Sequence, residues 1–498
     1  MPDMKPLLFL KFLKPLYRFG SLAINMNHIF VRPLRLTSRW LLFFALLFCA
    51  AAVEAAGRKP NILVILADDL GYGELGCQGF TAQIPTPNID SIAKSGVRFT
   101  SGYVSGPYCS PTRAGLMTGR YQTRFGYEFN PTGGRNGLPL TEKTIADRLK
   151  AAGYVTGLVG KWHLGATPEM HPQQRGFDEF FGFLGGAHDY FKSAGIQRGT
   201  TPVTELDYTT DAFGREAVAF IERHRHQPWF LYLAFNAVHT PMQATDDRLA
   251  KFPQIAEKPR RTYDAMMLAM DEAVGKVRQK LADAGLEQNT LVAFISDNGG
   301  PTMPGTTINA SRNDPLRGSK RTTLEGGIRV PFIVSWPGHV RPGRCEQPAI
   351  QLDLHATALA AAGVTVPPEW KLEGVDLLPF LAGGQTGAPH NVLCWRFGKQ
   401  MAIRAGDFKL VRYDLNADTR AGGRSQGTTP AKLYNLRDDL GETNDLAAAL
   451  PGKVKELQSQ WDAWNTANVK PLWGAGSGDS DGAEPGAPPA RNRRRVQR

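Results

Sequence analysis

The segment Pro107-Tyr-Cys-Ser-Pro-Thr-Arg-Ala-Gly-Leu-Met-Thr-Gly-Arg-Tyr121 is the stretch from which the rest of the chain can be interpreted. Ser110-Pro111 indicates the start of a helix, because serine is favoured at the N-cap and proline at the first helical position. Gly119 indicates the end of that helix two turns later. Cys109 is then expected just before a helix N-terminus, with Arg113 one turn in and within reach of it. This setting predicts an electropositive, reactive cysteine, and the alternative is a buried structural cysteine beside a surface arginine.

The same segment resembles the signature of the type I, formylglycine-dependent sulfatases of the alkaline phosphatase superfamily. That signature is Cys-x-Pro-x-Arg followed by Ala-x-x-x-Thr-Gly-Arg, and three residues separate its Cys from its Arg, whereas tyrosine phosphatases have five. Every fixed position is present, namely Cys109, Pro111, Arg113, Ala114, Thr118, Gly119 and Arg120. In the family a formylglycine-generating or anaerobic sulfatase-maturating enzyme oxidises this cysteine, and the hydrated aldehyde is the nucleophile. The resemblance therefore implies catalytic roles for Cys109 and Arg113.

Two apolar runs of strand length end in oxygen-bearing side chains. Asp68 and Asp69 follow residues 61–67, and Asp297 and Asn298 follow residues 290–296. Such runs suit buried parallel strands, whose carboxyl ends hold ligands in open α/β sheets. Each pair alone would suit a solvated turn, but two such strand ends predict a shared site for a hard cation, Ca²⁺ or Mg²⁺. The resemblance implies that this cation is calcium, bound by these four residues and the formylglycine at position 109.

Four more polar residues follow predicted strands or lie in a long loop. Lys161 and His163 come after a strand at 154–159, His239 follows a strand at 229–237, and Lys320 lies in the loop 301–327. A solvated loop is the ordinary explanation for each of them alone. The resemblance implies catalytic roles for all four, with Lys161, Lys320 and His239 also binding the substrate. In the family His163 hydrogen-bonds the formylglycine hydrate, and His239 is the candidate general acid.

The segment 177–190 is rich in aromatic residues and glycine. It suits simple loop packing or the wall of a substrate pocket. In the second interpretation His188 and Asp189 face sugar hydroxyls, so His188 is a candidate substrate-binding residue. The resemblance of this region is to arylsulfatase and N-acetylgalactosamine-sulfatase relatives.

Strands and helices alternate from residue 57 to about residue 375, and short strands at close spacing follow. Helices are predicted at 87–95, 141–152, 210–225, 260–284, 353–362 and 451–466, and the short strands at 392–396, 401–404, 408–412 and 433–435. The pattern indicates an α/β fold followed by a short antiparallel sheet. The resemblance implies that the fold is alkaline-phosphatase-like, with a large, mixed, mostly parallel sheet flanked by helices and a smaller C-terminal antiparallel sheet. The predicted units are a catalytic domain at 57–380, an α+β subdomain at 381–473 and a disordered tail at 474–498.

The N-terminal region 1–56 has the features of a signal peptide. Thirteen apolar residues at 41–53 follow Arg32, Arg35 and Arg39, and small residues come after them. The run is short for a membrane span, so export to the periplasm or the medium is predicted and an uncleaved anchor is the alternative. A start at Met26 would give a leader of ordinary length.

Charge and cysteine content narrow the remaining possibilities. The formal net charge is +12, and the two ends of the chain carry more than half of it. A mildly basic body suits an anionic substrate, and nucleic acid is not predicted because no basic stripe with interleaved aromatics occurs. Beyond Cys109 the mature chain has Cys77, Cys345 and Cys394, which allow at most one disulfide of undetermined pairing.

The sequence thus predicts hydrolysis of sulfate monoesters, on aryl sulfates or on sulfated carbohydrate such as a glycosaminoglycan or algal galactan. Two alternatives remain open. One is a phosphatase or phosphonate hydrolase of the same superfamily. The other is an exported protein that binds sulfated polysaccharide without turnover, if Cys109 is unmodified. The oligomeric state is undetermined.

Overall fold

A computed structural model describes residues 59–80, 84–131, 135–304, 306–417 and 427–474. The predicted leader at 1–56 and, apart from Gly474, the predicted tail lie outside these residues. Across the described ranges no helix combines the length and the apolar character needed to cross a membrane.

The described residues form sixteen strands and ten α-helices. The strands are, in chain order, Asn61–Ala67 (β1), Val97–Phe99 (β2), Gly102–Tyr103 (β3), Val155–Lys161 (β4), Glu179–Phe183 (β5), Gln197–Arg198 (β6), Thr201–Pro202 (β7), Trp229–Ala234 (β8), Thr290–Ser296 (β9), Phe332–Ser335 (β10), Gly343–Cys345 (β11), Ala349–Ile350 (β12), Val392–Phe397 (β13), Gln400–Ala405 (β14), Phe408–Arg412 (β15) and Lys432–Asn435 (β16). The helices are Pro87–Lys94 (α1), Cys109–Thr118 (α2), Ile145–Ala151 (α3), Thr209–His224 (α4), Asp246–Leu249 (α5), Lys258–Asp283 (α6), Glu325–Ile328 (α7), Leu352–Ala361 (α8), Leu378–Leu381 (α9) and Pro451–Asn465 (α10).

A ten-stranded sheet in the order β11-β2-β10-β9-β1-β8-β4-β5-β6-β7 forms the centre of the fold. The five adjacent strands β9, β1, β8, β4 and β5 are parallel, and antiparallel pairs flank them on both sides. All seven residues of β1 are buried, which explains why its sequence is continuously apolar rather than alternating. The predicted mixed, mostly parallel sheet is therefore confirmed.

Helices cover both faces of this sheet, because successive side chains of a strand point to opposite sides. Along β1, Leu63 and Ile65 pack into one apolar cluster, with side chains of α1, α4 and α6. Ile62 and Val64 pack into a second cluster on the other face, with side chains of α2, α3 and α8. Two buried layers thus hold the central strands, and their carboxyl ends, in fixed positions.

The C-terminal antiparallel sheet is also confirmed, with the order β13-β14-β15-β16. One of its faces packs with Leu457 of α10. The other face packs against Tyr103, Leu324 and Ile328, which precede the C-terminal sheet in the chain. The indole Nε1 of Trp395 donates to the carbonyl oxygen of Val104 at 2.7 Å, only five residues before Cys109. The domain boundary near residue 380 stays a prediction.

Several element ends differ from the sequence-based expectations. The helix expected from Thr141 begins at Ile145, where Thr144 and Asp147 form a reciprocal capping box. The strand expected to reach residue 237 ends at Ala234. In the described part of the chain, Cys77, Cys109, Cys345 and Cys394 are all unpaired thiols, so none of the possible disulfides is formed.

Candidate active site

The predicted polar residues gather at the carboxyl edge of the five parallel strands. Asp68 and Asp69 follow β1, Asp297 and Asn298 follow β9, and His239 lies in the loop after β8. Lys161 is the last residue of β4, two positions before His163. Because these strands are neighbours in the sheet, residues far apart in the chain meet at one edge.

Helix α2 begins two residues earlier than predicted, at Cys109, with Tyr108 at the N-cap. The expected N-cap role of Ser110 is therefore wrong. Its hydroxyl instead donates to the carbonyl oxygen of His163 at 2.5 Å and lies 2.6 Å from the Tyr127 hydroxyl. These bonds join the first turn of the helix to the loop after β4. Gly119 ends the helix as expected, in the left-handed conformation with φ of 68°.

Three carboxylates and the cysteine sulfur form a compact, buried group. Asp68, Asp69, Asp297 and Cys109 each offer one ligand atom, and these atoms all lie within 4.8 Å of one another. Asn298 joins them, since its Nδ2 donates to Asp69 Oδ1 at 2.7 Å. All five side chains are fully buried. The structure therefore brings the predicted metal ligands together.

Each carboxylate of this group has a buried cationic partner. Arg113 donates to Asp297 Oδ2 through Nη2 at 2.8 Å and Nε at 3.1 Å. The Lys161 ammonium lies 2.6 Å from Asp68 Oδ2. The Lys320 ammonium lies 3.0 Å from Asp69 Oδ2, although Lys320 is 251 residues away in the chain. These ion pairs keep charge in a fully buried site, where an unpaired carboxylate would be very costly.

The donor set fits a hard cation. Asp68 Oδ1 and Asn298 Oδ1 are buried oxygens, and among the described residues neither has a hydrogen-bond partner. Buried acceptors are almost always paired, and oxygen ligands of this kind are those that Ca²⁺ and Mg²⁺ prefer. Burial, with repulsion from Asp297, raises the pKa of Asp68 even though Lys161 opposes the shift. A bound cation would add a further positive charge beside Asp68 and so favour its ionised form.

The expectation of an activated thiol is wrong for the unmodified cysteine. Burial raises the pKa of the Cys109 thiol well above its ordinary value, and the nearby Lys161 and Lys320 only partly oppose that effect. The position before a helix was expected to favour a thiolate, but complete desolvation is the larger influence. Arg113 is also bound to Asp297 and to the Lys161 carbonyl rather than to Cys109. As a thiol, Cys109 is therefore a poor nucleophile.

His239 faces this group, and His163 lies in the loop after β4. His239 is 1% exposed, and its Nε2 lies 3.6 Å from Asp69 Oδ2. Its Nδ1 lies 2.6 Å from the Thr240 carbonyl oxygen, which fixes Nδ1 as a donor. His163 has a left-handed backbone, with φ of 59°. A Cβ atom on Gly186 would lie 2.5 Å from His163 Nε2, so only glycine lets the loop after β5 pass against this ring.

His188 lies in that same loop but is bonded within it. Its Nδ1 is 2.6 Å from the Asp189 carbonyl oxygen, and its Nε2 is 2.9 Å from the Ala194 carbonyl oxygen. The ring also packs against Phe183, with centroids 5.0 Å apart. Asp189 accepts from Gln243 and from the Phe191 backbone N–H. These bonds hold the loop together, and substrate contact by His188 stays a prediction.

Sequence reasoning missed two residues of the long loop before Lys320. The Thr307 hydroxyl contacts both Asp69 and Lys320, and Asn309 donates to the backbone beside Asp69 and His239. The unusual length of loop 301–327 was the available signal, because such loops are usually functional. Nothing in the local pattern distinguished these two residues from the other polar residues of the loop.

Comparison with known proteins identifies the family. The sulfatase family model matches residues 60–364. Human arylsulfatase A is 35% identical over 463 residues, covering 83% of this chain and 88% of its own. The N-acetylgalactosamine-6-sulfatase of Canis lupus familiaris is 34% identical over 411 residues, 76% of each chain. The crystal structure of Ps i-CgsB in complex with k-i-k-neocarrahexaose is 38% identical, with a TM-score of 0.76, and covers 84% of this chain and 95% of that one. Together with the buried group at the sheet edge, these similarities show that the chain belongs to the sulfatase family and is a sulfuric ester hydrolase.

Proposed function

We propose that the chain is an exported sulfatase that removes sulfate from carbohydrate, with a formylglycine made from Cys109 and a bound Ca²⁺ ion. The observation that carries the proposal is the buried group of three carboxylates, three cations and the residue-109 side chain at one strand edge. Asp68, Asp69, Asp297, Asn298 and residue 109 would hold the cation. When present, the ion would offset the charge of the sulfate and the hydrated aldehyde would supply the attacking oxygen.

The lysines of the site can bind a sulfate group through its oxygens. Lys161 and Lys320 approach the carboxylate group through Asp68 and Asp69, next to the side chain of residue 109. A sulfate monoester is anionic, so its charge must be offset before an oxygen can attack the sulfur atom. Arg113 holds Asp297 through two hydrogen bonds and so keeps one cation ligand in a single orientation.

Proton transfer falls to the two histidines. The Thr240 carbonyl keeps the Nδ1 proton of His239, so Nε2 is the nitrogen that can pass a proton to the leaving sugar oxygen. His163 would have the complementary role, in which its imidazole accepts a proton from the residue-109 side chain as the sulfate is released. Its carbonyl oxygen accepts from Ser110, which couples its position to the first turn of helix α2.

A carbohydrate substrate is supported by the relatives. One relative is an N-acetylgalactosamine-6-sulfatase, and another was crystallised in complex with k-i-k-neocarrahexaose. We therefore expect a glycosaminoglycan or a sulfated galactan. Maturation would need a formylglycine-generating or anaerobic sulfatase-maturating enzyme as a partner, and export would follow from the predicted signal peptide.

The test is a screen of sulfate release from defined sulfated oligosaccharides, run beside a phosphate monoester and a phosphonate monoester. The proposal predicts turnover of at least one sulfated sugar and little turnover of the phosphorus esters. Faster cleavage of a phosphonate ester would favour the phosphonate hydrolase alternative. Tight binding of sulfated polysaccharide without sulfate release would favour the non-catalytic alternative.

A further inference from the structure

Thr307 joins the two charged groups that meet beside the carboxylate cluster. Its hydroxyl donates to Asp69 Oδ2 at 3.0 Å. The Lys320 ammonium donates to that same hydroxyl at 3.0 Å and to Asp69 Oδ2 at 3.0 Å. A hydroxyl has one hydrogen, so a lysine that can only donate must approach its lone pair. The three groups thus form a closed triangle, which fixes the ammonium and one carboxylate oxygen relative to each other.

Asn309 joins the backbone of two strand ends. Its Nδ2 donates to the Asp69 carbonyl oxygen at 3.2 Å and to the Val238 carbonyl oxygen at 2.8 Å. Asp69 is held in a left-handed conformation, with φ of 61°, and Val238 directly precedes His239. A residue with a Cβ atom adopts this conformation at an energetic cost, so it needs support from its surroundings. Asn309 is fully buried and supplies part of that support.

The segment that carries both residues is also anchored to helix α6 and to the loop after β1. The Ser311 hydroxyl accepts from the Gly71 backbone N–H at 2.9 Å and lies 3.2 Å from the Tyr263 hydroxyl of helix α6. Arg260 of the same helix donates to the Ala310 carbonyl oxygen at 3.0 Å and to Glu74. Helix α6 therefore holds the segment from behind, and the positions of Thr307 and Asn309 do not depend only on the groups that they orient.

We infer that Thr307 and Asn309 are positioning residues of this sulfatase. Thr307 holds Lys320 against Asp69, and Asn309 fixes the backbone beside Asp69 relative to the backbone beside His239. The inference rests on the proposed function, because it assigns Lys320 to the sulfate and His239 to the leaving oxygen. Thr307 then acts on sulfate binding for any substrate, whereas Asn309 acts mainly on proton transfer to a poor leaving group.

The Thr307 test compares Thr307→Val, Thr307→Ser and a matched control, Thr306→Val. The Thr306 hydroxyl donates only to the Met303 carbonyl oxygen within the loop, so its loss leaves the triangle intact. We expect Thr307→Val to lower kcat/KM about 10- to 100-fold on both a carbohydrate sulfate and nitrophenyl sulfate, the size typical of hydrogen bonds to charged groups. Thr307→Ser should recover most of the loss, and Thr306→Val should stay near wild type.

The Asn309 test uses Asn309→Ala on the same two substrates. We expect a loss of about 10-fold or more on the carbohydrate sulfate and a clearly smaller loss on nitrophenyl sulfate, since only the sugar oxygen needs protonation. If Asn309 had only a structural role, Asn309→Ala would lower kcat/KM equally on both substrates and would also lower the melting temperature. Each variant's melting temperature is therefore measured beside its kinetics.

Three results would overturn the inference: wild-type kinetics in Thr307→Val, an equal loss in Thr306→Val, or equal losses on both substrates in Asn309→Ala. Failure of the proposed function is a separate outcome, because it would appear as a wild-type enzyme that desulfates nitrophenyl sulfate but none of the carbohydrates. The Thr307 comparison on nitrophenyl sulfate would still decide the role of Thr307 in that case.

Discussion

Replacement of His239 by alanine should lower kcat/KM most for substrates whose leaving group must be protonated as it departs. The imidazole is 1% exposed, so water cannot readily take its place as a donor. The Nδ1 atom lies 2.6 Å from the Thr240 carbonyl oxygen, which accepts its proton, and Nε2 faces the carboxylate group, 3.6 Å from Asp69 Oδ2. The geometry therefore suits a general acid.

The expected size follows from that role. General acid catalysis is typically worth about 10²–10⁴-fold, which corresponds to about 2.7–5.4 kcal/mol of transition-state stabilisation. A sugar alkoxide leaves poorly without protonation, whereas nitrophenolate leaves easily. We expect His239→Ala to lose on the order of 10²-fold or more in kcat/KM on a carbohydrate sulfate and much less on nitrophenyl sulfate.

The assay measures kcat/KM for wild type and variant on both substrates, with His188→Ala as the matched control. His188 is bonded to carbonyl oxygens of its own loop, so its loss should not depend on the leaving group. Equal losses on the two substrates in His239→Ala would refute the acid role and leave His239 as a residue that only positions the sulfate.

Three further predictions concern the cation, the C-terminal end and pH. Asp297→Ala should abolish activity and lower the melting temperature in calcium buffer, and full wild-type activity after prolonged dialysis against a chelator would contradict a metal role. Truncation after Gly474 should leave nitrophenyl sulfate turnover unchanged. Trp473→Ala should lower the melting temperature, because the Trp473 indole donates to two backbone carbonyls near helix α2. A melting temperature equal to that of wild type would show that this contact is dispensable. Burial raises the pKa of Asp264 to about 7, although Arg260 opposes the shift. Between about pH 4 and pH 7 the folded state therefore keeps a proton that the unfolded chain loses, so stability falls as the pH rises through this range. Asp264→Asn should remove that pH dependence from melting curves, and an unchanged pH slope would contradict the prediction.

The sequence was sufficient to predict the sheet and the residues at its edge. Continuous apolar runs such as that of β1 indicate strands buried on both faces, and the side chains after them must then share one edge. The proposed oxidation of Cys109 rests only on the family resemblance, since local spacing predicted an activated thiol and burial produces the reverse. The degree of burial depends on the packed structure, which no local pattern reports.

Contacts between distant segments explain most of what the sequence did not predict. Thr307 and Asn309 reach Asp69 across more than two hundred residues, and polar loop residues look alike until the fold brings one of them to a partner. The Ser110 hydroxyl prefers Tyr127 and His163 to its own helix for the same reason. Local rules such as N-capping hold only where no stronger tertiary partner is near.

The most direct test of sulfate ester hydrolysis at this site combines two measurements on one sample. The mass of the tryptic peptide that contains residue 109 reports its chemical state, and the same preparation is assayed for release of inorganic sulfate from a sulfated oligosaccharide, with Cys109→Ala as control. We predict the mass of the aldehyde, turnover in proportion to the converted fraction, and no turnover in Cys109→Ala. Turnover by protein that carries only the thiol, or by Cys109→Ala, would contradict the account.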